Sequence, residues 1–164
     1  MTPYIAVVGP DPCDEIVGER SERIGSLLAE AGAVLVCGGL GGTMERAAKG
    51  AFEAGGLTLG ILPGTSRVAA NRYLTLSVPT GMGEMRNALN VRASDAVIAV
   101  AGEFGTLSEI AFALKTGVPV VGLDTWVLAK EGRTDPDRIV RVATPEEAVE
   151  TALQLARSRI ERYS

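Results

Sequence analysis

Two glycine-rich segments are places where a backbone could meet an anion: Gly38-Gly39-Leu40-Gly41-Gly42-Thr43-Met44 and Ala101-Gly102-Glu103-Phe104-Gly105-Thr106. Each follows a short apolar run and leads into apolar residues at helical spacing. A phosphate held by backbone needs N–H groups it can approach closely. Glycine supplies that access and the unusual dihedrals, and the following helix N-terminus adds a favourable potential. The same glycines could instead serve tight strand-to-helix packing, so one such turn decides nothing. Two at equivalent positions point to a crevice, because open α/β sheets bind ligands beyond the carboxyl ends of their strands.

Two charged residues can be weighed individually. Arg86 opens the helical stretch Gly83–Ser94, where a cation opposes the helix dipole unless it serves an anion or a carboxylate, or is simply solvated. Glu109 follows Thr106 by three residues, so it either contacts a ligand or closes a capping box onto the Thr106 backbone. The candidate ligand-binding residues are Gly9, Gly38, Gly39, Gly41, Gly42, Thr43, Met44, Arg86, Asn87, Gly102, Gly105, Thr106 and Glu109.

Absent residue types narrow the chemistry. The chain of 164 residues has no histidine, which removes Ser-His-Asp and Cys-His catalysis and imidazole metal ligation. Cys13 and Cys37 show no metal-ligand spacing and could form at most one bridge, so neither a metal site nor a disulfide framework is expected. A net charge of -4 with dispersed arginines argues against nucleic acid. Aromatics at 4% and 20 glycines suit a close-packed aliphatic interior. No apolar run reaches the roughly 18 residues of a membrane span, and the opening segment reads as a strand, so the expected location is cytoplasmic, with no membrane partner.

Familiar nucleotide motifs fail on inspection. Met44 stands where the third glycine of a dinucleotide fingerprint belongs, and the next strand ends in Leu62-Pro63 with no acid for a ribose, which disfavours NAD. No Walker A loop exists. Lys115-Thr116-Gly117 has the look of a β-lactamase triplet without its Ser-x-x-Lys companion, and reads as a helix end capped by Gly117.

The elements that must position these residues are legible from periodicity. Tyr4–Val8, Ala33–Cys37, Leu57–Leu62, Ala96–Val100 and Val118–Leu123 are continuous apolar runs, the mark of parallel strands buried on both faces. Helical spacing covers Asp14–Glu30, Thr43–Ala54, Gly83–Ser94 and Thr106–Thr116. A short strand around Arg138–Val142 leads to a final helix, capped by Thr144 with Pro145 and Glu147 behind it, that runs to about Arg162. Pro63–Gly83 reads as one long irregular connection. The expectation is one domain over residues 1–164, an α/β doubly wound parallel sheet of the Rossmann type with helices on both faces.

Taken together, Gly38–Met44, Thr80-Gly81 through Arg86-Asn87, and Gly105-Thr106-Leu107-Ser108-Glu109 resemble the LOG-like superfamily of Rossmann-type proteins, long labelled "lysine decarboxylase-like". The likeness covers nearly the whole chain. Within it, Ala101–Val121 and Gly81…Arg86-Asn87 look most like the molybdenum-cofactor-carrier branch. The superfamily's phosphoribohydrolases cleave the N-glycosidic bond of cytokinin nucleotides through a Pro-Gly-Gly-x-Gly-Thr-x-x-Glu motif and an upstream arginine. The resemblance places Glu109 and Arg86 in those catalytic roles if the chain is a hydrolase. Ala101 replaces the motif's Pro and Glu103 its second Gly, which sets a carboxylate where an anion should bind. Pyridoxal-phosphate decarboxylation is rejected, since Lys49, Lys115 and Lys130 occupy ordinary helix-surface or helix-end contexts.

Two functions follow as expectations. One is binding of a nucleotide monophosphate or a phosphorylated, molybdopterin-type cofactor, as a carrier. The other is a phosphoribohydrolase acting on a nucleoside 5′-monophosphate, with no cofactor needed for catalysis. Resemblance and the low charge of Ala111–Leu114 also imply a homodimer or homotetramer.

Overall fold

The computed structural model describes residues 1–132 and 136–163. The apolar runs become strands β1 (Tyr4–Val8), β2 (Val34–Cys37), β3 (Leu57–Leu62), β5 (Ala96–Val100), β6 (Val120–Leu123) and β7 (Ile139–Val142), joined by β4 (Leu76–Pro79). All pair in parallel, in the order β4-β3-β2-β1-β5-β6-β7. The order reverses between β1 and β5, which opens a crevice at the carboxyl ends of those two strands.

Continuous apolar strands need cover on both sides, and two cores supply it. Ile5, Val7, Leu35 and Ile98 pack with Ile24 and Leu28 of α1 (Glu15–Glu30), Ala47 and Ala51 of α2 (Gly42–Glu53) and Ala152 of α5 (Pro145–Tyr163). On the opposite face, Ala6, Val8, Val97 and Ala99 pack with Val91 of α3 (Asn87–Arg92) and Ile110 and Ala113 of α4 (Phe104–Thr116). The expected doubly wound α/β sheet is therefore present. α1 and α2 cross with almost no separation: a Cβ added at Gly25 would fall 2.0 Å from the Ala47 carbonyl oxygen, and one at Gly50 would fall 1.9 Å from that of Glu22.

Several local expectations need correction. Pro63–Gly83 is not wholly irregular, because Leu76–Pro79 pairs with β3 as the sheet's edge. Its four residues are half-buried or exposed and end in proline, so they carry no buried apolar run to signal a strand. The helix expected over Gly83–Ser94 splits into a 3-10 turn, Gly83–Arg86, and α3. α4 begins at Phe104 with Glu103 as its N-cap, which places Thr106 inside the first turn. Two terminators are as expected: Gly117 ends α4 in the left-handed region at φ 75°, and Thr144 Oγ1 accepts from the Glu147 N–H at 3.2 Å. Among the described residues, no helix is long and apolar enough to cross a membrane.

Candidate functional site

Beyond the ends of β1 and β5 lies a cleft of about 640 Å³. A larger groove of about 730 Å³ runs between α1 and α2, but its side chains are engaged with one another. Arg46 pairs with Glu15 at 2.9 Å and Glu22 at 3.2 Å, and Lys49 pairs with Glu22 at 2.6 Å. That groove is a half-solvated ion-pair surface. The cleft at the switch point has a different character, since its floor is built from buried polar groups that the protein leaves partly unsatisfied.

Arg86 sits at the junction of the 3-10 turn and α3 and is only 7% exposed. Its Nη1 donates to Asn87 Oδ1 at 2.6 Å, its Nη2 has only the weak acceptor Met44 Sδ at 3.9 Å, and its Nε has no partner. Among the described residues, no carboxylate forms an ion pair with it. Burial lowers the Arg86 pKa from its usual value, while the charge of Glu109 pushes it back up. The solvated-arginine reading is therefore excluded. A guanidinium is still protonated under such conditions and keeps unused donors for an anion.

Glu109 is buried on α4 and accepts from Asn90 Nδ2 at 2.8 Å. Burial pushes its pKa up to about 7, against the opposing effects of the Asn90 hydrogen bond and the Arg86 charge. Since helix α4 starts two residues ahead of Thr106 and the Glu109 carboxylate is turned to Asn90, the capping box is not formed. Thr106 is also buried, and its Oγ1 has no partner. The bond from Asn87 Nδ2 to Ser108 Oγ, 3.2 Å, ties α3 to α4 across the floor.

The structure brings Gly9, Gly38, Met44, Arg86 and Asn87 to the cleft, with Gly105, Thr106 and Glu109 facing them from α4. It does not bring Gly39, Gly41, Gly42, Thr43 or Gly102 there. A Cβ on Gly39 would meet Leu62 at 2.6 Å, one on Gly41 would meet Asp11 Oδ1 at 3.1 Å, and one on Gly42 would meet the Pro10 oxygen at 2.6 Å. The Thr43 N–H already donates to the Pro10 carbonyl at 3.1 Å, and its side chain packs beneath Gly9. Gly102 covers the Thr106 side chain and borders a neighbouring hollow instead. Gly38, which lines the cleft, also makes room for Arg86: an added Cβ would fall 2.4 Å from Arg86 Nη2, so its bare Cα is the surface on which the guanidinium rests.

Asn90, which holds Glu109, was missed at the level of sequence, as were the cleft residues Pro10, Leu40, Met85, Phe104 and Ser108. A signal existed for Asn90: it follows Arg86 by four residues, hence one helical turn along the same face. Both cysteines are free, and burial pushes the Cys37 thiol up to about 11. Among the described residues, no cluster of acidic and thiol groups could hold a metal ion.

The sequence profile of the SLOG cluster4 family matches residues 2–149. The chain belongs to the SLOG cluster4 family. A family relative from Archaeoglobus fulgidus, itself uncharacterised, is 44% identical over 145 residues, covering 88% of this chain and 91% of its own length. The molybdenum cofactor binding protein of Rippkaea orientalis superposes with a TM-score of 0.85 at 32% identity, over 94% of this chain and 98% of that one. A Moco carrier protein from Chlamydomonas reinhardtii gives a TM-score of 0.85 at 34% identity, over 96% and 99%. The LOG-like superfamily and its molybdenum-cofactor-carrier branch are thus the right neighbourhood for this SLOG cluster4 member.

Proposed function

We propose that this protein binds a small phosphorylated molecule, of the molybdopterin or nucleotide monophosphate type, in the cleft between α3 and α4, and holds it without turning it over. The observation that carries the reading is Arg86: a buried cation with an unpartnered Nε, no ion pair among the described residues, and a glycine beneath it. A buried charge without a counter-ion is costly, and an incoming phosphate would supply what is missing. The first-turn N–H groups of α4, which lack partners within the helix, would add to the same pull. Similarity to proteins named for binding or carrying the molybdenum cofactor supports the ligand class.

Titration calorimetry with paired ligands tests this. Phosphate-bearing ligands should bind and their dephosphorylated counterparts should bind at least tenfold more weakly, a gap that the Arg86→Gln variant should close. Equal affinity for both members of each pair sinks the reading.

Phosphoribohydrolase activity is the second reading, and one observation favours it. A carboxyl group pushed to about 7, beside a cation, suits general acid–base work near neutral pH. Free base released from a nucleoside 5′-monophosphate by the wild type, and lost in Glu109→Gln, would establish it. We also propose assembly as a homodimer or homotetramer in the cytoplasm. The paired strands β3 and β4 place Leu57, Leu76 and Val78 on one face, all substantially exposed, and sedimentation over micromolar concentrations tests the association.

A further inference from the structure

The cleft's polar floor has an apolar rim, and the rim is where a second determinant lies. Phe104, the first residue of α4, is 75% exposed, and Met85, on the 3-10 turn, is 74% exposed. Both line the cleft. A single exposed apolar side chain is ordinary on any protein. Two on one cleft, next in the chain to Arg86 on one side and to Gly105 on the other, need a further reason. Packing within the chain leaves both largely exposed and so does not supply one.

Phe104 is also propped. Its ring lies 5.7 Å from that of Trp126 with the planes tilted by 40°. The indole in turn is fixed by a bond from its Nε1 to the Glu103 carbonyl oxygen, 3.3 Å. The exposed ring is therefore backed by a second, anchored aromatic side chain, so ordering it on binding costs little conformational entropy. Its position relative to the floor is set as well. Gly105, the next residue, faces Asn87 so openly that an added Cβ would still be 4.0 Å from Asn87 Nδ2.

We propose that Phe104 is the residue that selects the heterocycle of the phosphorylated ligand, as a stacking platform for its planar face. The ring lies on Phe104, with Met85 as the soft contact at the other rim, while the phosphate reaches Arg86. This rests on the reading of the cleft as a phosphate site and deepens it, since the floor alone would accept any compact phosphate. An aromatic face recognises a flat π-system and is indifferent to its exact substituents.

The chain's single tryptophan is Trp126, so its emission reports directly on the platform. Guanosine 5′-monophosphate and ribose 5-phosphate are the probes, one with a planar ring and one without. The wild type should bind the first at least tenfold more tightly, with a change in Trp126 emission that ribose 5-phosphate does not produce. Phe104→Leu should reduce that preference by about tenfold, and Phe104→Tyr should restore it.

A wild type without the preference, or a Phe104→Leu variant that keeps it, overturns the platform. So does a Phe104→Leu variant whose sedimentation shows a changed assembly, because Phe104 would then be an interface residue. Failure of the underlying reading looks different. If guanosine itself binds as well as its monophosphate, the phosphate site is wrong and the platform stands. If ribose 5-phosphate binds and the ring adds nothing, the phosphate site stands and the platform falls. If none of the three binds, both fall.

Discussion

The two glycine-rich turns look alike as strings of residues and do different things in the fold. In the turn after β2, the protein itself occupies the space that the glycines leave. Gly38 seats Arg86, Gly39 at φ 76° lies against Leu62, and Gly42 at φ 54° lies against Pro10. Asn71 closes the same turn from outside, its Nδ2 donating to the Leu40 carbonyl at 2.9 Å and its N–H to that of Gly39 at 3.0 Å. In the turn after β5, Gly105 faces open cleft, and the first turn of α4 presents Phe104 and Thr106 to it. Ala101, at φ 49°, holds there a conformation that favours glycine. Glycine thus marks close approach without saying what approaches: protein groups at Gly38, Gly39 and Gly42 of the first turn and at Gly102 of the second, and open cleft at Gly105 alone.

The largest expected effect tests the open turn through Glu109. Its folded-state pKa, about 7, lies above the ordinary 4.5 because burial disfavours the carboxylate. The protonated form therefore stabilises the fold fully below about pH 4.5, and that contribution is lost as pH rises through 7, where the folded state must ionise a buried group. At about 1.4 kcal/mol per unit, the loss is on the order of 3 kcal/mol between pH 4.5 and 8. Glu109→Gln keeps an acceptor for Asn90 and removes the ionisation. Chemical denaturation should find the variant close to wild type at pH 5 and more stable at pH 8. A difference that does not vary with pH would mean that Glu109 is not buried as a titrating group.

Next comes the closed turn. Gly38→Ala puts a methyl 2.4 to 2.6 Å from three guanidinium atoms of Arg86. The guanidinium can move only by leaving Asn87 and the cleft floor, so a stability loss of about 1–3 kcal/mol is expected, together with the affinity gap that Arg86 provides between a phosphate ligand and its dephosphorylated counterpart. Thermal melting and calorimetry on one variant read both. Retention of that gap would show that the arginine does its work from elsewhere.

How much of this was legible depends on what each residue type reports. Runs such as Ala96–Val100, apolar at every position, can be satisfied only by cover on both faces, so the parallel sheet could be read directly. β4 could not, because an edge strand of four residues ending in Pro79 has no such run. A neighbourhood was readable, in that Arg86, Glu109 and the α4 turn line one cleft. The direction of each contact was not readable. Arg86 could be read as serving an anion, a carboxylate or solvent, and what seats it, Gly38 and Met44, lies some forty positions away. Glu109 sits at capping-box spacing from Thr106, but the helix starts at Phe104, and a shift of two residues turns a surface cap into a buried acid. Phe104 and Trp126 are separated by more than twenty positions, and only the adjacency of the β5 and β6 ends brings their rings together.

The smallest expected effect is the sharpest test of the comparison, because it asks a glycine to be unnecessary. Gly105 lies in the first turn of α4, outside the left-handed region, and a Cβ there meets nothing closer than Asn87 Nδ2 at 4.0 Å. Ordinary contact begins near that distance, so no neighbour has to move. Alanine is also the better helix former, by up to about 1 kcal/mol at an interior position and less in a first turn. Gly105→Ala should therefore leave the melting temperature unchanged or raise it slightly, a shift within about 0.5 kcal/mol, in contrast to the loss at Gly38. The methyl would nonetheless project into the space between Asn87 and the start of α4, where an anion approaching the helix N–H groups must pass. Phosphate-ligand affinity should fall by roughly two- to fivefold while the fold is intact, since the added group narrows the approach without removing a donor. If Gly105→Ala instead destabilises the protein as Gly38→Ala does, the second turn is as fully packed as the first. The cleft would then have no backbone to offer a ligand.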